Sequence, residues 1–154
     1  MTDNGRIEDP IISEELAQQQ IDMILDYYNI NMDKFFKVEV EGSNANEVLE
    51  EEGFRTLQAV IRDGRIEAEI DSDGKLIVTQ NLVHRYAHGL SALVFRPLTG
   101  RAKIASQKKK DTSFEEKMYN LLATMCTKNY SIILALEGKD LVAAEAVGGL
   151  FLLA

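Results

Sequence analysis

Leu16, Ile21, Ile24, Leu25 and Tyr28 recur at helical spacing, which places apolar side chains on one face of an α-helix. A first helix is therefore expected over about 12–28. Asp9-Pro10 suits its approach, since proline gives up no hydrogen bond at a first helical position, and Asn29 and Asn31 punctuate its end. Residues 35–41 alternate instead, with Phe36, Val38 and Val40 on one side, as a strand does. Gly42 and Ser43 close that segment. Asn44 and Glu47 have the spacing of a capping box. Val48, Leu49, Phe54, Leu57, Val60 and Ile61 then fit one helix, or two broken near Gly53.

The strongest alternation covers 65–80. Ile66, Ala68 and Ile70 alternate with charged residues, Asp73-Gly74 follows, and Leu76-Ile77-Val78-Thr79 completes a β-hairpin. Between 81 and 91, Leu82, Tyr86 and Leu90 allow a short helix. Residues 92–97 read as a further strand closed by Pro97. Thr99 or Gly100 opens a helix through Ser106, and Lys108-Lys109-Lys110-Asp111 forms a solvated turn. Thr112 with Glu115 is a capping-box pattern before Phe114, Met118, Leu121, Leu122 and Met125. Another short helix is expected from Thr127 or Asn129 through Leu136, broken by Gly138, and a last one over about 139–151. The class predicted is α+β: a small antiparallel sheet of three or four strands, an N-terminal helix and a C-terminal helical subdomain. The N-terminal helix and sheet region occupies 1–97 and the helical region 98–154, together forming one compact unit.

The chain has 154 residues, enough for a single domain that buries roughly two-thirds of its unfolded surface. Cys126 is its only cysteine, so no internal disulfide can form. The N-terminus is acidic and polar, without the basic and apolar regions of a signal peptide. The longest apolar run, 141–154, is too short for a bilayer and contains Glu145. No membrane association is expected.

The net charge of −8 is unevenly spread. Residues 81–110 contain seven basic and no acidic side chains, while 1–80 contain nineteen acidic and seven basic. Such an island can meet nucleic acid or an acidic partner, or pair with the chain's own acidic surface. Arg85, Arg96, Arg101, Lys103 and Lys108 to Lys110 would form a nucleic-acid surface, but only Tyr86 and Phe95 interleave with them. Nucleic acid is accordingly disfavoured.

No constellation for catalysis stands out. His84 and His88 would share a helix face, but no third metal ligand is near in sequence. Glu69, Asp71, Asp73 and Gly74 imitate the start of a calcium loop, yet the twelfth position is Gln80 rather than glutamate. They fit hairpin turn chemistry better. Thr99-Gly100-Arg101 lacks the glycine loop and lysine of a phosphate cradle. Glu50-Glu51-Glu52 and Glu115-Glu116 are consecutive, so they diverge on a helix and read as solvated charge. Cys126 reads as a core thiol. No catalytic residue, cofactor or metal site is assigned, and the chain is expected not to be an enzyme.

Phe95-Arg96-Pro97-Leu98-Thr99-Gly100, then Leu136 with Asp140, then Leu150-Phe151-Leu152, together with the hairpin around Asp73-Gly74, resemble the tail assembly chaperones of long-tailed bacteriophages over residues 66–153. Residues 1–60, the Lys108–Lys110 loop and Gly148-Gly149 depart from that pattern. The resemblance implies a non-enzymatic protein of the host cytoplasm that binds the tape-measure protein during tail growth. A structural baseplate or neck component, retained in the virion, is the neighbouring alternative. Tail, baseplate or tape-measure proteins, and further copies of the chain, are the partners expected.

The partner-binding residues expected are Leu141, Val142, Leu150, Phe151 and Leu152. At 3.6 residues per turn they cannot share one stripe, so part of this surface should meet something beyond the helix's own core contact. The competing expectation is that this helix completes the core of its own domain.

Overall fold

The structure is a computed structural model and describes residues 11–30, 44–106, 113–152 and 154. Helix α1, Glu14–Tyr27, starts where the Ser13 side chain accepts from the Leu16 N–H. It buries Ala17, Ile21 and Ile24, spaced four and three apart. Helix α2, Asn44–Arg62, runs through Gly53 without a break. Strands β1, Ile66–Ile70, β2, Leu76–Asn81, and β3, Ala92–Phe95, follow. Four helices complete the order: α3, Gly100–Ser106, α4, Phe114–Met125, α5, Tyr130–Leu134, and α6, Gly138–Leu152. The fold is α+β, with an N-terminal helix and helices after the sheet. The expected strand over 35–41 and the Lys108–Lys110 turn lie outside the described residues.

Helix ends are closed locally. α1, α2 and α4 each finish on a left-handed residue, Asn29, Gly64 and Thr127. In each, the next N–H reaches back five positions: Ile30 to Leu25, Arg65 to Val60, Lys128 to Ala123. These bonds satisfy carbonyls that a helix end leaves orphaned. The cap of α4 differs from the expected Thr112 and Glu115 pair. Ser113 is the N-cap, and its hydroxyl accepts from the Glu116 N–H at 3.2 Å. One residue later in register, the same hydroxyl chemistry serves.

The sheet has the order β1-β2-β3, antiparallel throughout. Val78 pairs with Ala68 on one side and Phe95 on the other. The β1–β2 turn is built by Asp71, whose Oδ1 accepts from the N–H groups of Asp73 and Lys75, both at 2.9 Å. Gly74 sits at φ 78°. The acidic hairpin tip is thus turn chemistry, as its spacing suggested. The connection 82–91 is not the helix that Leu82, Tyr86 and Leu90 allow. It holds only a 3-10 turn, Ala87–Gly89, with His88 at φ 63°.

One sheet face carries Ile66, Ala68, Leu76, Val78, Leu93 and Phe95 into the interior. They join Ala17, Ile21 and Ile24 of α1, Leu57, Val60 and Ile61 of α2, and Leu121, Leu122, Val147 and Phe151 of the later helices in one core cluster. Phe151 stacks edge-on against both Phe95, at 5.9 Å between centroids, and Tyr28, at 6.2 Å. Such aromatic pairs add to the burial energy of the rings themselves. α6 lies against α2 and α4, and α4 against α3 and α5.

Candidate interaction surfaces

Asp140 stands in the first turn of α6 and is fully buried. Its Oδ1 accepts from the Val83 N–H at 2.8 Å. Its Oδ2 accepts from the His84 N–H at 3.0 Å and the Tyr86 hydroxyl at 2.7 Å. The Tyr86 oxygen in turn accepts from the Glu137 N–H at 3.1 Å. Gln80, also fully buried, donates from Nε2 to the Asp140 carbonyl at 2.7 Å. A carboxylate in a first helical turn also meets the positive end of the helix dipole. Burial, and then the bond to Asp140, push the Tyr86 hydroxyl up to about 12. Every one of these contacts ties the 80–86 segment to the start of α6. The Leu136 and Asp140 pattern is thus a staple: Leu136 is buried beside it.

His84 and His88 do not share a helix face, because no helix forms there. The His84 ring instead covers Gly138, whose missing Cβ would lie 3.1 Å from Nε2. Among the described residues no group of three or more His, Cys, Asp or Glu side chains is placed to hold a metal ion. Cys126 is buried, and that burial raises its thiol pKa. No described helix is long and apolar enough to cross a membrane.

The five expected partner-binding residues separate. Leu150 and Phe151 are core residues, 5 % and 1 % exposed, which corrects the expectation that all five present a surface. Leu141 and Leu152 are half-buried, and Val142 is 47 % exposed. The geometric premise failed for a physical reason. At about 100° per residue, buried Asp140, Ala143, Ala144, Val147, Gly148, Leu150 and Phe151 span an arc of roughly 160°. Neighbours within the same chain, α2 and α4 together, cover that breadth. Leu141 and Leu152 fall at one margin of the arc. Val142, Ala146 and Gly149 lie on the opposite side, with Ala146 partly buried against the core, exposed Lys139 on one flank and Glu145 on the other. Glu145 accepts from the Tyr119 hydroxyl at 3.1 Å.

Gly148 explains how closely α6 approaches α4. A Cβ there would meet Met118 Cγ at 2.6 Å, Met118 Sδ at 2.8 Å and Leu122 Cδ1 at 3.0 Å. Gly149 faces open space.

The basic island is divided by the fold. Arg85 stands in the connection before β3, between residues bonded to Asp140 of α6, while Arg96 follows the strand. Arg96 and Lys75 line an open depression of about 470 Å³ with Tyr27, Asp71, Asp73, Ile77, Pro97 and Thr99. Nothing in the sequence linked Tyr27 at the end of α1 to these residues, since the sheet's tip brings them together. No protein-family model, curated protein or solved structure matches this chain.

Proposed function

We propose that the protein acts by binding a partner, as a non-enzymatic assembly protein of the phage tail chaperone kind whose client is a tape-measure protein. The observation that carries this reading is the outward stripe of α6. Val142 is 47 % exposed, Ala146 and Gly149 are partly exposed, and no charged side chain stands among the three. Solvent-facing helix stripes are ordinarily polar or charged. An uncharged stripe of small and apolar residues suits the approach of another helix. A baseplate or neck component would use the same stripe permanently, within the particle.

The test is co-expression with a tape-measure protein and co-purification at physiological salt. Val142→Glu with Gly149→Glu, the first at an exposed side chain and the second at a position that faces open space, should leave circular dichroism and Tm near the wild type and abolish co-purification. Phe151→Ala, by contrast, should lose about 3–5 kcal/mol of stability, as for a large buried ring. Capture undiminished by the double substitution counts against the stripe. A salt-steep complex with duplex DNA tighter than about micromolar at physiological salt would point instead to a nucleic-acid binder.

A further inference from the structure

We draw no further inference here: the strongest candidate, the open depression of about 470 Å³ at the β1–β2 hairpin tip, is lined by Asp71 and Asp73 together with Lys75 and Arg96, so its charge selects no single class of ligand, and nothing in the structure shows what covers it.

Discussion

Tyr86 gives its phenolic proton to Oδ2 of Asp140 across 2.7 Å, although 54 residues separate them. The same carboxylate holds the N–H groups of Val83 and His84. A loop with little regular structure is thereby fixed to the first turn of the last helix.

Removing the carboxylate should be costly, because it strands the three donors that a fully buried acceptor now satisfies. Asp140→Ala is expected to lose about 3 kcal/mol, the sum of several unsatisfied donors at 1–3 each offset by relaxation. Asp140→Asn, which keeps the shape but loses the charge-assisted bonds, should lose about 2 kcal/mol. Urea denaturation with an unchanged slope gives the comparison. A loss under about 0.5 kcal/mol in both, the level of an ordinary surface substitution, would mean that the staple is dispensable.

Tyr86 also makes an alkaline prediction. Its folded hydroxyl is pushed up to about 12 from an ordinary 10.0. Burial also raises Tyr28 and, with its bond to Glu145, Tyr119. Above about pH 10 the unfolded chain releases these protons while the folded chain keeps them, so stability falls with rising pH. For Tyr86 the contribution is whole below pH 10 and is lost as pH climbs through about 12. Tyr86→Phe should flatten the dependence of the urea midpoint between those values. An equal slope in wild type and variant would show that Tyr86 titrates alike in both states.

The glycines of the long helices should respond in opposite directions. Gly53 and Gly149 have open space where a Cβ would stand. Alanine at either should stabilise by about 0.5–1 kcal/mol, the ordinary difference within a helix. Gly148→Ala drives a methyl into Met118 and Leu122. Even with methionine's adaptability, overpacking should exceed the helical gain and leave a net loss of about 1 kcal/mol. Thermal and urea unfolding of the three variants would reveal any failure of this ordering.

Thr127 is a β-branched residue in the left-handed region, at φ 52°. That conformation costs a side-chain-bearing residue about 1–2 kcal/mol. Thr127→Gly should therefore stabilise by about 1 kcal/mol, less whatever the Thr127 hydroxyl gains from the Cys126 carbonyl at 2.7 Å. Asn29→Gly, at φ 54°, should gain less, since asparagine tolerates the region. Should the threonine variant be less stable than the wild type, its hydroxyl bond outweighs the strain.

Where structure follows from near neighbours, the sequence was readable. Alternation of Ile66, Ala68 and Ile70 followed by Asp73-Gly74 gave the hairpin, and the apolar spacing of α1 and α4 gave their buried faces. Leu16 was the exception on α1: it fits the spacing but is 48 % exposed, and Ala17 takes the buried position. The 82–91 segment misled because Leu82, Tyr86 and Leu90 pack half-buried against the core without forming a helix, while Asp140 holds Val83, His84 and Tyr86. A carboxylate bonded to backbone N–H groups more than fifty residues away leaves no trace in composition or spacing. The α6 surface misled in the other direction. An apolar circumference looks like an interface, until two neighbouring helices are seen to occupy a wide arc of it.

The ring of Phe151 lies between Tyr28 and Phe95. One aromatic side chain near the end of the last helix thus rests on the first helix and on the last strand. Loop-closure entropy must be met before such distant contacts contribute. The chain should consequently fold late and together, with the N-terminal and helical regions melting in one transition. A fragment cut at the boundary between them would lose its partner surface on both sides of the ring, so the two regions are not interchangeable modules.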